Sequence, residues 1–207
     1  MADVKFVVPY PEKLSRGLLL LRTFLGWLYI AIPHGICLFF IGICAAIAQF
    51  IAFWVVLFSG QYPRSLFDFV ANALQWQFRV SIYLNFLTDE YPPYNMYDYH
   101  PVELIIEYPE RLSRLHLLGR LFFGWLYIII PHGFCLYFRE IAHIFVTFVA
   151  WWVVLFTGKM PEDMHRFLVG TYRWAARVNT YIGYMTDEYP PFSGRPEVGT
   201  TETGVPV

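Results

Sequence analysis

The sequence predicts an all-α membrane protein made of two parallel tandem repeats, and three observations carry that prediction. Of the 207 residues 57% are hydrophobic and only 15% are charged, whereas an ordinary soluble domain carries about 25% charged residues. The charge deficit is concentrated in two long apolar stretches, Gly17 to Gly60 and Leu115 to Gly158, as multi-span chains require. The chain also repeats itself. Tyr10-Pro-Glu-Lys-Leu-Ser-Arg16 returns as Tyr108-Pro-Glu-Arg-Leu-Ser-Arg114, and Gly26-Trp-Leu-Tyr-Ile30 returns as Gly124-Trp-Leu-Tyr-Ile128. Pro33-His34-Gly35 and Thr88-Asp-Glu-Tyr-Pro-Pro93 recur at the same constant offset of 98 residues. A long ungapped repeat fixes architecture before it says anything about chemistry.

Each repeat opens on a short extended segment, Val4-Lys-Phe-Val-Val8 and Val102-Glu-Leu-Ile-Ile106. Partial alternation makes these candidate strands for a small two-stranded sheet. The apolar stretch that follows is too long for one crossing. Gly17 to Phe58 would make a helix about 63 Å long, against a hydrocarbon core of about 30 Å. Proline breaks the hydrogen-bond ladder and glycine tolerates a reversal, so Pro33-His34-Gly35 is the expected turn. The expectation is a helical hairpin over about 14–32 and 36–58, repeated over about 112–130 and 134–156, four spans in total.

A different helix then follows, over about 63–87 and 161–185, entered at Pro63 and Pro161. Arg64, Asp68, Asn72, Gln75 and Arg79 recur at spacings of three and four on an otherwise aromatic and aliphatic body. The second copy carries Glu162, Asp163, Arg166, Arg173 and Arg177 in that stripe. Such a pattern predicts an amphipathic helix lying in the headgroup plane, with a third span per repeat as the alternative. Trp54, Trp76, Trp151, Trp152 and Trp174 fall near that interface. The first repeat is thus 1–98 and the second 99–192. Residues 193–207, rich in Gly, Thr and Pro, read as a disordered tail.

Lys5, Lys13, Arg16, Arg22, Arg64, Arg79, Arg111, Arg114 and Arg120 all lie away from the Pro-His-Gly turns, near which only Arg139 is found. The positive-inside rule then places both termini in the cytoplasm, with the repeats related by a pseudo-twofold along the membrane normal. The polar first residues do not read as a removable signal peptide. A net charge of −1 offers no basic surface for nucleic acid. Cys37, Cys44 and Cys135 have no metal or redox spacing and read as packed thiols.

Taken together, Tyr-Pro-Glu-Lys/Arg-Leu-Ser-Arg, Ile-Pro-His-Gly, Val-Val-Leu-Phe-Ser/Thr-Gly, Arg-Val-Ser/Asn-x-Tyr and Thr-Asp-Glu-Tyr-Pro-Pro resemble the bacterial DUF4389 family, once per repeat. The resemblance implies a multi-pass protein of the bacterial cytoplasmic membrane and supplies no catalytic residues. The copies part at Arg139-Glu140, where the first has Ile41-Gly42.

Several residues are candidate contacts. His34 and His132 occupy matching turns, where a pseudo-twofold could bring two imidazoles together as haem or metal ligands; helix capping is the alternative. Arg139, Glu140 and His143 are ionisable groups within an apolar stretch, a functional hypothesis by default. Glu140 and His143 share one helix face at metal-site spacing, although the spans offer no further carboxylates. An Arg–Glu pair or a subunit contact is the simpler reading. Arg16, Arg22, Arg114 and Arg120 form a basic girdle suited to lipid headgroups. Asp89-Glu90 and Asp187-Glu188 read as helix-ending turns that tie each repeat's end to its start. Gly42, Ala46, Ala48 and Ala52 give a small-residue face for close helix approach.

The function expected is non-enzymatic. It is that of a structural or accessory membrane protein that organises lipid, a partner subunit or a second copy, with no cofactor or metal. The alternative is a lipid- or hydrophobic-ligand-binding or transport protein, with a cavity between the repeats lined by His34, His132 and the Arg139 group. A haem- or metal-binding redox protein comes third.

Overall fold

The computed structural model describes residues 4–196. Four helices and one small sheet make up its regular structure. Strand β1 (Val4–Val7) pairs antiparallel with β2 (Glu103–Ile106), Val4 opposite Ile106. The two extended segments therefore do pair, and they stitch the start of one repeat to the start of the other.

Helix α1 (Arg16–Ser59) and helix α3 (Arg114–Thr157) each run 44 residues without interruption. This corrects the expected hairpins, because the chain passes through Pro33-His34-Gly35 and Pro131-His132-Gly133 as helix. The four expected spans are two long helices. The reason lies in where the missing N–H falls. In an α-helix the carbonyl of residue 29 would accept from residue 33, but Pro33 has no N–H to give. A π-helical segment, Trp27–Ala31, precedes the proline and shifts the ladder, so that the Ile32 N–H donates to Trp27 O. The stranded Tyr29 carbonyl accepts instead from the Tyr91 hydroxyl at 3.4 Å. In the second copy the π segment is Trp125–Ile129, and Tyr189 donates to Tyr127 O at 2.8 Å. A side chain about sixty residues downstream makes the turn unnecessary.

Local signals set the ends of both long helices. Ser15 and Ser113 are N-caps, their side chains accepting from the Leu18 and His116 N–H groups. Gly60 and Gly158, at φ 76° and 72°, close the C-terminal ends in the left-handed conformation that glycine permits.

Helix α2 (Arg64–Leu84) and helix α4 (Glu162–Ile182) follow Pro63 and Pro161 as expected. Their surroundings differ from the expected headgroup plane. Phe67, Val70, Trp76, Ile82 and Tyr83 of α2 are buried, as are Leu168, Val169, Trp174, Ala176 and Tyr181 of α4. Arg64 and Asp68 of the polar stripe stay exposed and pair with each other, and its enclosed members bond backbone. Arg79 donates to Val102 O at 3.0 Å and Asp98 O at 3.1 Å, and Gln75 accepts from the Leu104 N–H. Arg173 donates to Gly194 O, and Arg177 to Ser193 O and Arg195 O. The first residues of the expected tail are thus held against α4; residues 197–207 lie outside those described.

The hydrophobic core joins the repeats at both ends. Leu14 and Leu19 cluster with Ala150, Val154 and Leu168. Ala48, Ala52 and Val56 cluster with Leu112, Leu117 and Met185. Helices α1 and α3 therefore run antiparallel and meet at both ends. Between those ends they part, each packing on its own short helix, Ile30 against Trp76 and Val80, Ile128 against Trp174 and Val178. Straight rods that touch at both ends touch throughout, so the long helices bow outward, as π segments and prolines allow. Their outer faces are apolar and open. Phe39 is 65% exposed, Phe58 74% and Phe145 67%.

Candidate functional site

The repeated motifs are the junctions of this frame. Each Tyr-Pro-Glu-x-Leu-Ser-Arg segment docks on the opposite repeat. Tyr10 donates to Met160 O at 2.5 Å, the Leu14 N–H to Gly158 O at 2.9 Å, and Arg16 to Phe156 O at 2.9 Å. The reciprocal set is Tyr108 to Tyr62 O, the Leu112 N–H to Gly60 O and Arg114 to Phe58 O. Arg16 and Arg114, expected at lipid headgroups, are exposed and donate to the last carbonyls of the other repeat's long helix, which have no intrahelical partner.

Each Thr-Asp-Glu-Tyr-Pro-Pro segment folds back on its own repeat. Asp89 accepts from the Ser15 N–H at 2.6 Å and forms an ion pair with Arg22. Arg22 also donates to Tyr83 O at 2.9 Å and Thr88 O at 2.6 Å, with its guanidinium over the Tyr83 ring. Asp187, Ser113, Arg120 and Tyr181 repeat the arrangement. Arg22 and Arg120, also expected at the headgroups, are thus buried and turned inward. The end-to-start tie does form, to arginines within the long helix.

His34 and His132 are fully buried, each inside its own repeat. His34 stacks on Tyr94 at 4.2 Å, meets Trp76 edge-on, and its Nε2 lies 3.1 Å from the Tyr91 hydroxyl. His132 stacks on Phe192 at 4.0 Å and its Nδ1 accepts from the Trp174 indole at 3.0 Å. The structure does not pair the two imidazoles with each other. They anchor the segments after α2 and α4 beside the proline of each long helix.

Arg139, Glu140 and His143, present only in the second copy, take three separate directions. Arg139 points inward, donating to Thr171 Oγ1 at 3.0 Å and Phe167 O at 3.1 Å, with the guanidinium over the Phe167 ring. His143 is buried edge-on to Tyr172, and neither ring nitrogen has a hydrogen-bond partner. Glu140 is exposed on the apolar face. Among the described residues no three His, Cys, Asp or Glu side chains converge to hold a metal ion.

A cavity of about 370 Å³ does lie between the repeats, but not where the histidines are. Gly42, Ala45 and Ala46 of α1, Gln77 of α2 and Asn179 of α4 line it. Of the four small residues expected to give a helix-contact face, Ala48 and Ala52 do so, buried in the core around Phe67 and Val70, whereas Gly42 and Ala46 border the cavity. The alanine and glycine content was the available signal, and only the fold divides it between packing and cavity. Elsewhere, His165 of α4 packs edge-on against Tyr10 of the first repeat. Burial, and then the Arg173 guanidinium, lower its pKa to about 4.

No curated protein and no solved structure matches the chain. A family model does, twice, over residues 21–95 and 119–194, each match running from the early turns of a long helix to the segment that returns to cover its proline. With most of its length accounted for by two copies of the domain of unknown function DUF4389, the chain belongs to that family.

Proposed function

We propose that the protein is a non-enzymatic, membrane-embedded structural or accessory component that organises surrounding lipid or a partner subunit. The observation that carries this reading is the exposed apolar face of the two long helices. Only 17% of the most apolar window of each is buried, whereas the core helix of a soluble protein is mostly covered. Large exposed apolar surfaces mark membrane or partner contact. Arg79 and Arg173 of the short helices, by contrast, are buried and turned inward onto backbone.

A straight 44-residue helix is about 66 Å long, twice the hydrocarbon thickness of about 30 Å. Bowed helices with arginines at both ends fit a shallow arc better than an upright span. In this reading the ends near Arg16, Arg64, Arg114 and Arg166 face the cytoplasmic headgroups of the bacterial inner membrane, and the Pro-His-Gly segments lie deepest. Both termini are then cytoplasmic, as the charge distribution favours. Glu140, a carboxylate on the apolar face, is the natural contact for a donor on a partner subunit.

Thiol labelling tests the arrangement. Ser59→Cys and Thr157→Cys, at the helix ends, should react with a membrane-impermeant maleimide in inside-out vesicles and not in intact spheroplasts. Cys44 and Cys135 should react only after detergent is added. Recovery of the protein in the soluble fraction, with all thiols reactive, would remove the membrane reading. Reaction of Cys135 from outside would replace the arc by a full crossing.

A further inference from the structure

The two repeats treat one position in opposite ways. In the second, side chains that the first lacks meet between the long helix and its short helix, Arg139 on Thr171 and His143 against Tyr172. Arg139, His143, Ile144 and Tyr172 stand where the first copy has Ile41, Ala45, Ala46 and Leu74. His143 finds no hydrogen bond there, so its contribution is volume. In the first copy the same region is the cavity of about 370 Å³. That size lies within the range of about 300–1,000 Å³ typical of ligand pockets and far above the roughly 30 Å³ of one water. A Cβ added at Gly42 would meet no atom within 4 Å.

The walls specify the ligand's chemistry. Gly42 and Ala46 are exposed and border the cavity on the same open face as Phe39, Ile43, Ile47 and Phe50. The cavity is thus continuous with the surface that the proposed function places against lipid. Three uncharged carboxamides complete the lining, Gln49 on the same helix and Gln77 and Asn179 on the two short helices. Asn179 spends one amide hydrogen on Ala175 O, which leaves its second amide hydrogen to donate. The Gln49 amide reaches so close to Gly183 that a Cβ there would lie 2.7 Å from its nitrogen. A site with apolar walls and neutral amides suits a hydrocarbon chain ending in uncharged acceptors, as in a fatty ester.

We propose that this cavity binds one acyl chain of a membrane phospholipid, its ester oxygens hydrogen-bonded by Gln49, Gln77 and Asn179. The protein thereby holds a single lipid on its first repeat and none at the equivalent place on its second. This proposal rests on the membrane reading, and the test separates the two.

The full chain is reconstituted into phosphatidylethanolamine vesicles containing a trace of the same lipid with a diazirine at the end of one acyl chain. It is then irradiated, and labelled peptides are mapped by mass spectrometry. Label is expected on two regions, the outer face around Phe39, Phe50 and Phe148, and the α2 peptide that lines the cavity with Ala73, Leu74 and Gln77. Ala46→Ile and Leu74→Tyr, which install the second copy's residues, should each lower the α2 label about tenfold, as a loss of about 1.4 kcal/mol of binding gives. Label on the outer face should be unchanged, and an unaltered melting temperature shows that each variant folds. Outer-face label without α2 label, or α2 label that survives both substitutions, would overturn the lipid site and leave the membrane reading standing. Label on neither region would overturn both.

Discussion

At the scale of single residues, the most consequential contact is a tyrosine hydroxyl standing in for a proline's missing N–H. Tyr189 donates to Tyr127 O at 2.8 Å, the carbonyl that Pro131 leaves without a helical donor. This contact is exposed, so it contributes the net value of an ordinary hydrogen bond, about 0.5–1.5 kcal/mol. Tyr189→Phe should therefore destabilise the protein by about 1 kcal/mol. In a Pro131→Ala background, where the backbone N–H is restored, the same substitution should be close to neutral. A double-mutant cycle read by denaturation in mild detergent measures that coupling; equal costs in both backgrounds would show that the hydroxyl does something else. The sequence displayed every participant, since Tyr189 and Pro131 lie in repeated motifs. It could not show that they meet, because 58 residues separate them and no local pattern links a hydroxyl to a distant carbonyl. The same limit applies to Arg22 and Asp89, each of which is legible as charge but not as a pair.

At the scale of elements, the expected hairpin and the observed continuous helix differ by one physical assumption. Proline ends a helix where nothing replaces the lost donor. Here a π segment and a side chain replace it, so Pro33-His34-Gly35 marks a point of bending rather than reversal. Local cues otherwise located the elements well. The limits of the apolar stretches and the first-turn prolines put the outer ends of the helices within a few residues of expectation, and the two short strands paired. What periodicity could not supply was the company of α2 and α4. A polar stripe reads the same whether it faces headgroups or the carbonyls of a linker, and Arg79 and Arg177 chose the carbonyls. The bow itself is measurable. Spin labels at Ile36 and Phe134, mid-helix and exposed, should lie farther apart than labels at Leu20 and Trp152 near a junction. The expected difference is about 10 Å or more, the width of an interposed helix. Electron–electron double resonance on a variant lacking native cysteines reads both distances, and equal values would mean straight, parallel rods.

At the scale of the whole molecule, the duplication is a mutual clasp. The segment Tyr10 to Arg16 completes the second repeat's long helix, and Tyr108 to Arg114 completes the first's. Both large core clusters draw residues from both copies, so each half alone keeps only its small cluster around Ile30 or Ile128. Each half alone would expose those cluster faces and leave the last carbonyls of its long helix uncapped. Residues 1–98 or 99–207 expressed singly should therefore be degraded or aggregate, while the two co-expressed should purify as a stable one-to-one complex. The clasp also predicts how that complex fails. Arg16→Ala removes a cap at one junction and Arg114→Ala the same cap at the other, so each single change should weaken reassembly to a similar extent, by about 1 kcal/mol for a hydrogen bond from a charged donor. The double change should be additive, because the junctions lie at opposite ends of the frame and share no partner. Affinity chromatography of tagged halves, followed by dissociation on dilution, reads both effects. A half that folds and stays monomeric alone would show that the repeat is two modules side by side. A more than additive loss would mean instead that the two junctions communicate through the bowed helices that join them.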